Sequence, residues 1–216
     1  MKAEEARTAS EEMEKPKKNK TLLIERIFGK EATSNVESQP GELVFHSADL
    51  LAQSARATSG MHAYYLITTH GMLSLHNQRS EALNISVVSL KGIQFNMRYR
   101  FTNAMVSVEN IPVAGVLSKD HPVAELIDQE TSRVIILTED DYKELQLPVV
   151  ARNNLSDKRN LWFEEYVPHQ SVFAFAVAGS QDLLDDFDSV INGQVVQFGG
   201  NASIGFGLMK IARIGG

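Results

Sequence analysis

Strict alternation of apolar and polar residues is clearest in "IQFNMRYRF" (93–101). Ile93, Phe95, Met97, Tyr99 and Phe101 fall on one face, and Gln94, Asn96, Arg98 and Arg100 on the other. A period of two predicts a half-buried strand, here with a basic outer face. "AMVSVENIPV" (104–113) is expected to pair with it after a turn at Thr102–Asn103, and "ISVVSL" (85–90) reads as the strand before it. "GMHAYYLITTHGML" (60–73) spaces its apolar residues as a helix does, so a helix is predicted there. "ELVFHSADLLA" (42–52) reads as a strand running into a turn. "TLLIERIFGK" (21–30) is short and apolar, and its Gly29 suits a helix cap.

The C-terminal half is punctuated more sharply. "RVIILT" (133–138) is a buried strand, and Thr138 is the N-cap of a short helix over "EDDYKELQ" (139–146). "LPVVARNNL" (147–155) is extended, and "LWFEEYVP" (161–168) leads into a strand over "SVFAFAVAG" (171–179). "SQDLLDDFDSVING" (180–193) predicts an amphipathic helix with Leu183, Leu184, Phe187, Val190 and Ile191 inward. Ser180 is its expected N-cap and Gly193 its stop. Two last strands flank "GGNASIGFG" (199–207), a line with four glycines in nine positions. Elements in this order give an α+β fold with a mainly antiparallel sheet.

The N-terminal segment stands apart. Residues 2–14 hold helix formers without large apolar side chains, and Lys15, Lys17, Lys18 and Lys20 surround Pro16. Residues 1–20 are therefore expected as a solvated helix or flexible arm, with 21–216 forming one domain. Within that domain, 74–129 reads as an insertion or thumb-like region. The 216 residues include no cysteine, so disulfides and thiolate chemistry are excluded. No apolar run reaches the roughly 18 residues of a membrane span, and a soluble cytoplasmic protein with no membrane partner is expected. The formal net charge of −6 argues against a generally basic nucleic-acid binder but leaves room for local basic strips.

Self-contained chemistry is not evident. The six histidines are scattered, with no HExxH pattern, and there is neither GxSxG nor GxxxxGK[ST]. Asp182, Asp185, Asp186 and Asp188 lie on the polar side of an amphipathic helix, a solvated face rather than a metal site. No catalytic residue, metal ligand or resident cofactor is expected. The glycine cluster has two readings. It is either a wide hairpin or a loop whose bare backbone lies close to a ligand such as RNA.

Three stretches taken together carry a resemblance. They are "IFGKEATSNVESQPGELVFHSADLLAQSARATSG" (27–60), "LPVVARNNLSDKRNLWFEEYVPHQSVF" (147–173) and "VVQFGGNASIGFGLMKI" (195–211). In that order they resemble the RAMP-superfamily backbone subunit of type III-B CRISPR effectors, the Cmr complex. The family pattern is an ARN-type segment, then NLWYEE-(V/L)-VP, then GGNxTIGxG, where Ser203 replaces the usual Thr. The likeness covers roughly 22–73 and 130–213. It implies a modified ferredoxin-like (RRM-related) fold and a subunit stacked in copies along a guide crRNA, with target RNA and other Cmr subunits as partners. It also implies RNA contacts from Gly199, Gly200, Asn201, Ser203, Gly205 and Gly207. Arg56, with Ser59 and Gly60 at an expected helix start, would meet phosphate, and Arg152 is a second basic candidate. For Arg152, pairing with Glu164 or Glu165 is an equal alternative. Arg98 and Arg100 lie where the likeness is poor and are minor candidates.

The family's first strand, its Gly/Ser loop and the Asp used to cleave target RNA with a divalent metal have no counterpart before Ile27. The expectation is a chain that starts inside the following helix and leaves a sheet edge open. The carboxylate transfers to no Asp here. Two other functional readings remain: a non-catalytic assembly protein of the same complex, and an unrelated ferredoxin-like ligand-binding domain.

Overall fold

The computed structural model describes residues 21–32, 37–128, 131–153 and 161–215; the expected N-terminal arm lies outside them. Two compact units are present, one joining residues up to Ser47 with Phe175–Arg213 and the other built on Ala48–Ala174. In the first, residues 21–28 are helical (α1) and stop at Gly29, whose φ of 90° suits glycine. β1 (Gly29–Lys30) pairs antiparallel with β2 (Gln39–Pro40), and β3 (Val44–Phe45) follows.

The larger unit starts with a long antiparallel hairpin, β4 (Asp49–Ser59) and β5 (Tyr64–Thr69). The helix expected over 60–73 is therefore corrected to a strand followed by a helix, α2 (His70–Ala82). Tyr64, Tyr65 and the β-branched Ile67, Thr68 and Thr69 favour extended backbone. Residues 65–69 are all buried, because β5 is covered on both faces. A strand apolar on both faces cannot be told from a helix by spacing alone. α2 begins only where Thr69 can cap it, its Oγ1 accepting from the Met72 N–H at 3.1 Å.

The alternating segment also departs from expectation. Only β6 (Tyr99–Arg100) is strand, and 85–90 is not. Ile93, Tyr99 and Phe101 are buried, yet Phe95 is 72% exposed. Nor does 104–113 pair with 93–101. β7 (Val106–Val108) and β8 (Ile111–Val113) pair with each other through Glu109–Asn110, both at positive φ as a tight two-residue hairpin turn requires. β7 then joins β4. β9 (Gly115–Val116), α3 (Pro122–Ile127), β10 (Val134–Leu137) and α4 (Glu139–Lys143) follow. The sheet order is β8-β7-β4-β5-β10-β6-β9, and β13 (Val172–Ala174) also pairs with β4. Residues 74–129, read as an insertion, thus supply four strands of this sheet. β11 (Val149–Asn153) and β12 (Leu161–Glu165) form a separate antiparallel ribbon.

Side-chain alternation on the two central strands builds two cores. Leu66, Val134 and Ile136 point into a cluster with Leu73 of α2 and Val123, Ala124 and Ile127 of α3. Tyr65, Ile67, Ile135 and Leu137 enter the opposite cluster with Val106, Val108 and Val113. α4 begins as expected, with Thr138 Oγ1 accepting from the Asp141 N–H at 3.2 Å.

Back in the smaller unit, β14 (Val177–Ala178) pairs with β3, and α5 (Gln181–Ile191) buries Leu183 against Ile27 and Leu43. Leu184 and Phe187 pack on that core, but Val190 is 63% exposed rather than inward. Gly193 sits just past the helix end at φ 75°, as expected of a stop. β15 (Val195–Gln197) and β16 (Leu208–Lys210) then form the hairpin that carries the glycine loop. Among the described residues no helix is long and apolar enough to cross a membrane.

Candidate nucleic-acid interface

The glycine loop closes where the Phe198 N–H donates to the Gly207 carbonyl at 2.9 Å. Inside it, Ala202–Ile204 make one 3-10 turn between Asn201 and Gly205, both left-handed at φ 61° and 84°. The four glycines then separate by cause. Gly207 has φ 76°, and a Cβ there would overlap the Phe198 carbonyl oxygen, so the turn itself demands glycine. Gly199 and Gly205 are required by positive φ alone, with open space around them. Gly200 has neither reason: its φ is not left-handed, and nothing lies within 4 Å of where a Cβ would stand. Internal packing does not account for that residue.

The loop's backbone donors are likewise unspent. Ile204, Gly205 and Phe206 donate back to Asn201 and Ala202 carbonyls, at 3.0 to 3.3 Å. The amides of Gly199, Gly200, Asn201, Ala202 and Ser203 have no acceptor among the described residues. All five residues are exposed. Successive bare amides of this kind favour an anion or a polar oxygen held close to the main chain. The side chains of Asn201 and Ser203 stand in the same run without intramolecular partners among the described residues.

Arg56, Ser59 and Gly60 stand together at the end of β4. The expected helix start does not exist: residues 49–59 are strand, and Gly60 turns the chain into β5. Gly60 sits at φ 135°, and a Cβ would collide with the Tyr65 hydroxyl, which accepts from the Met61 N–H at 3.1 Å. Its glycine is therefore structural. Paired in β4 with residues of β7, Ser59 is fixed by the ladder. The Arg56 side chain is 79% exposed and lies 3.6 Å from Glu109 Oε2, a long surface pair contributing well under about 1 kcal/mol. Its guanidinium is available.

The other arginines are more fully engaged. Arg152 on β11 is ion-paired to Glu164 across the ribbon, the structural alternative for that residue. The Trp162 indole N–H donates to the same carboxylate at 2.9 Å, and these contacts, the indole first, hold its pKa below the usual range. Arg98 makes two bonds of 2.6 Å to Asp141, which they hold below the usual carboxylate range. Arg100 donates to the carbonyls of Thr102 and Ala114 at 3.0 and 2.7 Å. The basic outer face expected of 93–101 is thus consumed internally. Beside Arg56, Lys91, Lys119 and Lys210 have no carboxylate partner among the described residues, and the sequence singled out none of these three. No group of three or more His, Asp or Glu side chains converges as metal ligands among the described residues.

The RAMP superfamily matches residues 4–210 of this sequence, nearly its whole length. The chain belongs to that superfamily. A curated relative, the CRISPR system Cmr endoribonuclease Cmr4 of Pyrococcus furiosus, is 25% identical over 227 residues, covering 87% of this chain and 74% of its own. The crystal structure of oligomeric Cmr4 from Pyrococcus furiosus superposes with a TM-score of 0.62 at 19% identity, over 80% of this chain and 73% of that one. A chain of the type III-B Cmr-beta complex bound to cognate target RNA gives 0.66 at 19%, over 91% and 77%. The architecture is accordingly the ferredoxin-like RAMP fold, with a mostly antiparallel sheet. Folding alone leaves Gly200 with its neighbouring bare amides, and the exposed guanidinium of Arg56, unexplained.

Proposed function

We propose that this chain is a crRNA-holding backbone subunit of a type III-B CRISPR RNA-interference complex, with target RNA, other Cmr subunits and copies of itself as partners. The glycine loop lies against the ribose–phosphate strand, and its unspent amides from Gly199 to Ser203 bond phosphate or sugar oxygens. That arrangement binds backbone and reads no base. Arg56 adds a charge contact to a phosphate. The observation that carries the reading is Gly200, a glycine with no internal cause in a row of bare exposed amides. Membership of the RAMP superfamily and the likeness to Cmr4 support it.

Among the described residues no group of three or more acidic or histidine side chains converges as metal ligands, and none of them is assigned a metal-holding role.

Arg56→Ala tests the reading. Equilibrium binding of single-stranded RNA over a salt series is expected to weaken, with the slope of log K against log[salt] flattening by about 0.7, one phosphate contact on a single strand. Thermal stability should stay within about 0.5 kcal/mol of the parent, since the side chain is on the surface. Unchanged affinity and slope would remove Arg56 from the interface. Failure of the parent chain to bind RNA at all would overturn the reading.

A further inference from the structure

The smaller unit carries an apolar surface that its own core does not use. Leu23 and Ile27 of α1 pack inward with Leu183, while Ile24 and Phe28, one helical turn apart on another flank, are 57% and 63% exposed. The Phe28 ring stacks on Phe45 of β3, with centroids 5.4 Å apart and planes 8° from parallel. Phe45 in turn meets Phe187 of α5 edge-on at 5.5 Å. Val190, one turn further along α5, is exposed as well. Two helices and a strand thus present one strip from Ile24 to Val190, with three aromatic rings at its middle. Single exposed apolar residues need no explanation, but a contiguous strip rimmed by polar groups marks an interaction surface.

The margin of the strip is acidic. Asp182, Asp185 and Asp186 of α5 are exposed and hold no ion pair among the described residues. Asp186 precedes Phe187 and stands one turn from Val190, so its carboxylate borders the strip. The cations that flank Phe28 in sequence are spent. Arg26 makes two bonds to Glu42 at 2.9 and 3.0 Å, and Lys30 pairs with Glu25 at 3.1 Å. The Glu42 bonds are also what chiefly raises the Arg26 pKa, with Asp186 and Asp182 adding at longer range. A polyanion such as RNA is repelled from this margin, so the proposed RNA contacts do not account for the strip.

We infer that this strip docks a basic amphipathic helix of a protein partner. Apolar side chains of that helix lie on Phe28, Phe45 and Phe187, and lysines or arginines beside them meet Asp186 and Asp182. The ring spacings of 5.4 and 5.5 Å match a helix's rise of about 5.4 Å per turn, so consecutive turns set one side chain against each ring. An added strand would repeat its side chains roughly every 6.8 Å, and β3 would offer it only two residues to pair with. Exposed aromatic rings are the usual anchors of such contacts, and the unpaired carboxylates select a partner of positive charge. The inference stands apart from the RNA-holding function.

Fluorescence anisotropy with the full chain tests this, using a labelled synthetic helix with leucines at i, i+3, i+4 and i+7 and lysines on both sides of that face. Two further helices are titrated beside it, one with glutamates for the lysines and one with the same residues scrambled. The lysine helix is expected to bind saturably and to weaken as salt rises, and the other two to bind about tenfold more weakly or not at all. Phe28→Ala and Val190→Ser, both at exposed positions, should each weaken the lysine helix about tenfold with Tm unchanged. Asp186→Lys should weaken it several-fold and flatten its salt dependence. No binding by the parent, equal binding of the lysine and glutamate helices, or parental affinity in all three variants would overturn the inference. Self-association of the parent in sedimentation velocity, lost in Phe28→Ala, would give the strip to a second copy and equally overturn it. Displacement of the helix by single-stranded RNA would put the strip in the RNA interface, with the same consequence. The RNA-holding function is tested separately by Arg56→Ala and does not depend on this strip.

Discussion

Gly200→Asp should lower affinity for single-stranded RNA by about tenfold or more, close to 1.4 kcal/mol, without lowering Tm. Nothing within the protein opposes a side chain at this position: φ is ordinary and the surrounding space is open. A substitution there also narrows the unfolded chain's freedom, which favours the native state slightly. The loss on RNA has two sources. A carboxylate faces phosphates that the amides would otherwise meet, and its bulk holds the strand away from the Gly199–Ser203 donors. Gly207→Ala is the matched control. Its Cβ would overlap the Phe198 carbonyl at φ 76°, so the hairpin itself distorts and both Tm and RNA affinity fall. Separation of the two effects at Gly200 and their coincidence at Gly207 identify which glycine serves a partner and which serves the turn.

A second large effect is expected at the centre of the sheet. Ile135 is fully buried on β10 and is paired in register with Ile67 on one side and Arg100 on the other. Ile135→Ala should cost about 2–5 kcal/mol, because the close-packed neighbours Tyr65, Val106 and Val113 cannot collapse fully into the space left behind. Denaturant unfolding monitored by circular dichroism measures it. The affinity of the remaining folded protein for RNA should not change, since no contact to the glycine hairpin passes through this residue's own side chain. A cost below 1 kcal/mol would mean that the core on this face is loosely packed.

What the sequence revealed depended on how local the physics was. Thr138 capping α4, Gly193 past the end of α5 and the glycine hairpin between β15 and β16 are decided within a few residues, and each stands where expected. β5 was misread because its helix-like apolar spacing arises from burial on both faces, a fact of the sheet and not of the segment. The alternation at 93–101 misled for another reason. Arg98 and Arg100 look solvent-facing in sequence, yet one meets Asp141 and the other meets carbonyls around residues 102 and 114. Their partners are distant in the chain, and no periodicity encodes them.

The candidate site shows the same division. Glycines 199–207 were legible as a cluster, but only the backbone angles and the space around each glycine separate Gly200 from its neighbours. Arg56 became a candidate through family resemblance, and it stands on a strand rather than at the expected helix start. Arg152 left two readings in the sequence, and its engagement with Glu164 is visible only across the β11–β12 ribbon.

Amide hydrogen exchange across residues 199–203, with and without bound single-stranded RNA, addresses the central claim most directly. These five amides have no internal acceptor and should exchange rapidly in the free chain, then slow markedly when phosphate or ribose oxygens take them up. Equal and rapid exchange in both states, at RNA concentrations where binding is complete, would show that this main chain never meets the nucleic acid.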